Sequence, residues 1–399
     1  MKKLHYPACI VILLLVCQSC SEPKIPKEAV VANYANMVYQ SYNDSYQEAL
    51  KMQTAINAFL EDPTEEGLEA AKVAWLVARE PYGQTEVYRE TNSPIDVEES
   101  ETTPWGIANE AQMNAWPIDE SYIDYAAEGT ESHAGIYTGI IADTSVVISQ
   151  ELLKDLNEKD TDKSISTGWH AIEFLLWGQD LTLPEEDKPG MREYIDYTSA
   201  PDAERRSQYL KIATDLLVAD LKKLVDTWSE GGTYRTVFEG LETNQALSQL
   251  VHGTFFMSGD ELSSERMIAP VDSTDGVDGS GQEDEHSCFA DNTHRDIYVN
   301  MLGINNVLFG TYDTITGPSF YDLVKQADAE QAEKLKVAAD EAMARVQVIA
   351  DHAKPFDYLI TQESSSDPEF GPVMQSVVAL QELGDQISVS GNTIGISLR

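Results

Sequence analysis

Gly168-Trp169-His170-Ala171-Ile172-Glu173 runs without a break into Phe174-Leu175-Leu176-Trp177-Gly178. In this strongly apolar, helix-like stretch an imidazole and a carboxylate three residues apart project from one face, so two metal-competent groups are aimed at one point. The pattern is His-x-x-Glu. A zincin helix needs His-Glu-x-x-His and the inverted form needs His-x-x-Glu-His, but Phe174 follows Glu173 and the second helical histidine is missing from both. The apolar flanks bury the carboxylate, and a buried carboxylate needs a partner.

Other residues could supply partners. Arg79, Tyr82 and Glu86 recur at i, i+3 and i+7, which puts guanidinium, phenol and carboxylate on one helical stripe; a surface charge network accounts for that stripe equally well. Asp119 and Asp124 stand beside the apolar anchors of Ala115-Trp116-Pro117-Ile118. A second cluster runs from Glu283 to Asp296 and contains Glu285, His286, Asp291 and His294. Asp291 or Asn292 can cap the helix that follows, which leaves the rest in surplus for a cap. Upstream, Glu261, Glu265 and Arg266 share a helix face. His133, His252 and His352 have no acid at ligand spacing and read as structural. The acidic loop Asp272 to Gly281 departs from calcium-loop spacing at Thr274 and Gly276.

The elements that must position these groups are helical. Apolar periodicity is 3.6 in nearly every segment, and the expected helices are Glu28 to Leu60, Thr64 to Arg89, His133 to Asn157, Lys163 to Gly178, Asp202 to Ser229 and Asn244 to Ala269. Asn292 to Gly310, Pro318 to Ala350 and Asp367 to Gln386 complete the set. No segment alternates convincingly, so the fold class is all-α. Two helical-bundle domains are expected, 28–230 and 231–399, with long irregular loops at Thr91 to Gly129 and Pro270 to Glu285.

The chain has 399 residues, 42% of them hydrophobic, enough to bury a sizeable core. Its formal charge of −41 argues against nucleic acid and against an anionic membrane surface as partners and makes cations the natural ones, while a solvated acidic surface serving solubility or a saline habitat explains the charge without any partner. At the N-terminus, Lys2 and Lys3 precede an apolar run from Cys9 to Val16 that is too short to span a bilayer. Leu15-Val16-Cys17-Gln18-Ser19-Cys20 resembles a bacterial lipoprotein signal, with residues 1–20 removed up to an acylated Cys20 and 21–27 as a tether. The membrane contact is then the lipid anchor alone, on an outer-membrane, periplasmic or surface face of the cell envelope. Cys288 is left as a free, buried thiol with no disulfide framework.

The motifs together resemble the imelysin family. Carrying the resemblance are Ala74-Trp75 with Ala78-Arg79 through Glu86, Ala115 to Asp119, Gly168 to Gly178, Glu265-Arg266-Met267, and Glu283 through Asp296, in the order the family uses. The resemblance implies two bundle-like helical domains with a site at their junction around Gly-x-His-x-x-Glu, in an envelope lipoprotein linked to iron acquisition. Related ferrous-iron uptake domains pair the motif with acids from earlier helices, here Glu86 and Asp119. The leading expectation is therefore a metal-binding protein, iron favoured and zinc possible, in which His170, Glu173, Glu86 and Asp119 are ligands. Arg79, Tyr82 and Asp124 would support them, and envelope iron-uptake components would be partners. The alternatives are a metallopeptidase with Glu86 or Glu173 as base, and a non-catalytic module that binds a peptide or another envelope component.

Overall fold

The computed structural model describes residues 24–97, 103, 110–127, 139–186, 188–274 and 280–398. The leader with Cys20, together with Trp105 and His133, lies outside them. The architecture is all-α. In chain order the helices are α1 (Lys27–Glu61), α2 (Glu65–Gly83), α3 (Glu110–Asn114), α4 (Glu120–Ile123), α5 (Gln150–Leu156), α6 (Gly168–Trp177), α7 (Ala203–Trp228), α8 (Thr233–Glu239) and α9 (Thr243–Phe256). They continue as α10 (Ala269–Thr274), α11 (Thr293–Phe309), α12 (Phe320–Ala327), α13 (Ala329–Ala350), α14 (Phe356–Ile360) and α15 (Pro372–Thr393). A small antiparallel hairpin pairs β1 (Thr311–Tyr312) with β2 (Ile315–Thr316).

Buried side chains from α1 through α15 join in one contiguous hydrophobic core. Helix α1 packs on α2, α7 and α9, while α11 packs on α2 and on α13, and α13 pairs with α15. Trp75 of α2 lies at the centre of an aromatic cluster, edge-on to Trp169 at 6.1 Å and to Trp177 at 5.4 Å. Its indole N–H donates to the Trp169 carbonyl at 3.1 Å. These contacts pin both ends of α6 against α2.

Several expected helices change at their ends for local reasons. The helix expected from Thr64 to Arg89 stops at Gly83, two residues after Pro81, and gives way to a 3₁₀ turn, Glu86–Tyr88. Only Gln150–Leu156 of the described part of the His133 to Asn157 stretch is helical, and the Ser149 hydroxyl caps its start. Helix α6 begins at Gly168 rather than Lys163. Gly168 sits at φ +84, where a Cβ would run into the Met113 carbonyl of α3, so this glycine lets α3 close over the motif. Asp328 breaks the Pro318 to Ala350 stretch in two by accepting the N–H groups of Glu330 and Gln331. At the last helix, Glu363 receives the Val373 and Met374 N–H groups at 3.0 and 2.8 Å and sets the start.

The stretch expected as one helix from Asn244 to Ala269 contains a π-helical segment, Met257–Ile268. Widening the turn changes which residues are neighbours. On an α-helix Glu261 would lie beside Glu265; on the π segment it lies beside Arg266, five residues on, and the two bond at 3.0 Å. Arg266 is buried and Glu265 is turned to solvent.

Candidate functional site

His170 stands on the first turn of α6, which Gly168 starts and Trp169 anchors. Its ring is buried. Nδ1 lies 2.8 Å from Glu173 Oε2, the i, i+3 pairing that the spacing predicts. The other oxygen of Glu173 receives the Ala290 N–H at 2.9 Å. Both carboxyl oxygens of Glu173 are thus engaged in orienting the ring and holding the 287–292 turn. His170 Nε2, by contrast, has no hydrogen-bond partner.

The two clusters seen in the sequence meet here. The ring of His286 packs 4.8 Å from that of His170, and the Trp116 indole lies edge-on to His286 at 4.4 Å. His286 Nδ1 donates to Asp296 at 3.1 Å, which leaves Nε2 to accept from the Asn114 amide at 3.1 Å. Asp296 also holds Arg79 at 3.0 Å and accepts the Ser287 hydroxyl. Asn114 ties the groups together, since its oxygen accepts from Arg79 at 2.6 Å and its amide reaches Glu86 at 3.3 Å.

A second layer of charge adjoins this one. Arg266 donates to Glu86 at 2.6 Å, bonds Glu261 and Asn300, and lies 5.1 Å from the centre of the Trp116 ring. Arg89 pairs with Glu261 at 2.9 Å and with Glu110 at 3.4 Å. Arg79, Arg89 and Arg266 are therefore matched by Asp296, Glu261 and Glu86. Charges this deeply buried persist only when paired in this way.

Protonation follows from the same geometry. Burial alone would raise the acids, but Arg266 and Arg89 hold Glu86 below its ordinary value and Glu261 down to about 2. Arg79 and His286 likewise keep Asp296 well below the usual range. Glu173 lacks such a partner, so burial pushes it well up. Burial also lowers both imidazoles, His170 strongly and His286 to about 4, so both rings are neutral near pH 7. Glu110, raised by burial against the pull of Arg89, titrates at about 7.

The expected site residues divide accordingly. His170, Glu173, Glu86, Arg79, Arg266 and His286 share the buried network. Asp119 does not: half-exposed, it caps α4 by accepting the Ser121 N–H at 3.1 Å and hydroxyl at 2.6 Å. Asp124 belongs to a separate ion cluster, bonding Arg206 at 2.6 Å and Arg192 at 2.9 Å. Tyr82 is buried with its hydroxyl unpartnered, and Glu265 is exposed. Glu285 is buried, pushed well up by burial beside Asp357, with Oε1 unpartnered. His294 is half-buried, and Asp291 adopts the left-handed turn before α11. Asn114, Asp296, Glu261, Arg89, Glu110 and Asn300 complete the network without having been singled out as ligands. Glu261 was visible in the sequence as a face-mate of Arg266 and Asp296 as the end of the second cluster, whereas nothing in the sequence marked Arg89, Glu110, Asn114 or Asn300.

Among the described residues, no three His, Cys, Asp or Glu side chains converge where they could hold a metal ion. The four residues expected as ligands are not gathered as one set, because Glu86 and Glu173 are committed to other partners and Asp119 lies elsewhere. What fits a metal is a single fixed imidazole nitrogen. A carboxyl group on the far nitrogen of the ring is the arrangement that orients metal-binding histidines.

Comparison with known proteins supplies a family. No curated protein matches the sequence. Among solved structures, the "putative iron-regulated protein A precursor" from Parabacteroides distasonis ATCC 8503 shares the fold, with a TM-score of 0.69 at 18% identity over 94% of this chain and 97% of that one. The family model described as Imelysin, Peptidase M75, matches residues 38–387, a span that contains every member of the buried network. The chain belongs to the imelysin family.

Proposed function

We propose that this imelysin-family protein handles a metal ion, iron in the first instance, with His170 Nε2 as the protein's ligand atom. One observation carries the reading: a buried imidazole nitrogen without a partner, on a ring whose other nitrogen is fixed by Glu173. Glu173 is then the orienting group rather than a ligand, and Glu86 and Asp119 leave the ligand set. Imidazole suits iron and zinc alike. The buried Arg79 and Arg266 and the partly buried Arg89 do not repel the ion, since Asp296, Glu86 and Glu261 neutralise them. One protein ligand gives modest affinity, which suits passing an ion on better than storing it. The iron-related name of the structural relative and the acidity of the chain support the same reading. We place the protein at the cell envelope, anchored through Cys20 and working beside other iron-uptake components.

Calorimetric titration with ferrous iron under anaerobic conditions, and with zinc, tests this. Wild type should bind, His170→Ala should not, and Glu173→Gln should bind about 10- to 100-fold more weakly. Asp119→Asn should match wild type. Unaltered binding by His170→Ala, or none by wild type, would refute the assignment. Insulin digestion that Glu173→Ala abolishes would establish a peptidase instead.

A further inference from the structure

Helices α13 and α15 pack side by side and present an outer groove that no element of the described chain covers. Its lining residues give the geometry. Glu330 to Ala338 of α13 face Glu382 and Gln386 of α15, and Glu341 and Arg345 face Gln375 to Glu382, so the helices run antiparallel. Two cavities of about 520 and 680 Å³ share Glu341 and Glu382 as walls and form one trough. From residue 330 to residue 345 it is about 22 Å long at 1.5 Å per residue, the length of four helical turns.

Both helices contribute apolar side chains to the trough or beside it. Val337 and Val348 on α13 are 58% and 50% exposed, and Val378 and Val389 on α15 are 48% and 47% exposed. Each pair is eleven residues apart, close to three helical turns, so each falls on one face of its helix. Of these, Val337 and Val378 line the trough together with Ala338 and Ala379, an apolar floor between acidic edges of the kind that marks an interaction surface.

Charge identifies the occupant. Glu330, Glu333, Glu341, Glu369 and Glu382 line the trough against only Lys334 and Arg345. Both cations are already engaged, Lys334 by Glu330 at 2.9 Å and Arg345 by Glu341 at 2.7 Å. Among the described residues Glu369 and Glu382 form no salt bridge, and Glu333 meets Lys336 only through its field. A ligand that fills the groove must therefore bring apolar side chains on one face and positive charge along both edges. We propose that the α13/α15 groove docks a basic amphipathic helix of another protein, laid along the trough as the third helix of a small bundle. This stands independently of the metal reading.

The test uses the full chain and three 18-residue peptides, measured by fluorescence anisotropy at low salt. One carries leucines on a single helical face with lysine edges, one replaces the lysines with glutamate, and one scrambles the first. The lysine peptide should bind at least about tenfold more tightly than the other two. Val337→Asp with Val378→Asp should weaken it by a further factor of about ten or more, and Glu333→Lys with Glu382→Lys should turn the preference toward the glutamate peptide. These positions are exposed, so folding is spared. Equal binding of all three peptides, no binding of the lysine peptide, or wild-type binding by the aspartate double variant would overturn the proposal. So would a dimer in light scattering that the aspartate pair dissolves, which would assign the face to a second copy of the chain.

Discussion

Replacing Glu261 by glutamine keeps the shape of the side chain and removes its charge, so the variant imitates the protonated acid. In the folded protein Arg266 and Arg89 hold this carboxyl at about 2, against an ordinary 4.5. At about 1.4 kcal/mol per pH unit, that difference is worth about 3 kcal/mol at neutral pH. The folded value lies below the unfolded one, so the stabilisation is present above about pH 4.5 and is lost as pH falls through about 2. At pH 3 the wild type should retain an advantage of about 1.4 kcal/mol over Glu261→Gln, and none well below pH 2. The figure agrees with the cost of about 3 to 5 kcal/mol typical of breaking a buried ion pair. Urea unfolding followed by tryptophan fluorescence, run on both proteins at several pH values between 7 and 2, reads the difference directly. A gap below about 1 kcal/mol at pH 7, or one that does not shrink on acidification, would refute the pairing of Glu261 with Arg266 and Arg89, and with it the π-helical register that creates the pair.

Other outcomes follow from the same contacts. Gly168→Ala forces a side chain onto a left-handed backbone position against the Met113 carbonyl, and should lower stability by about 2 to 5 kcal/mol in a thermal or urea melt. Asp124→Asn strips a shared partner from Arg192 and Arg206 and should cost several kcal/mol, on the order of 3, yet leave metal titrations of the folded protein unchanged, because that cluster is separate from His170. Cys288 is buried and its thiol is pushed well up by burial, so peptide mapping after iodoacetamide treatment should find it alkylated only in denaturant.

The amino-acid sequence by itself determined the all-α architecture, because a 3.6-residue apolar period is a property of each segment alone. It also determined the His170–Glu173 pairing, which depends only on three residues of helical spacing, and the motif order that marks the family. The helix ends were partly hidden. Pro81 lies in the last turn of a helix that continues past it by two residues, and the cap at Asp328 looks like any surface aspartate. Tertiary structure alone decided what the groups do. Glu173 has the chemistry of a ligand, but the Ala290 N–H arriving from 117 residues away takes its second oxygen. Asp119 has it too, but the local Ser121 N–H and hydroxyl claim it. The widened turns at Met257–Ile268 exchange Glu265 for Arg266 on the buried face, a register shift that no α-helical period can express. Residues 79, 86, 114, 170, 266, 286 and 296 become one network because paired charges can be buried only together, and that demand acts across the fold rather than along the chain.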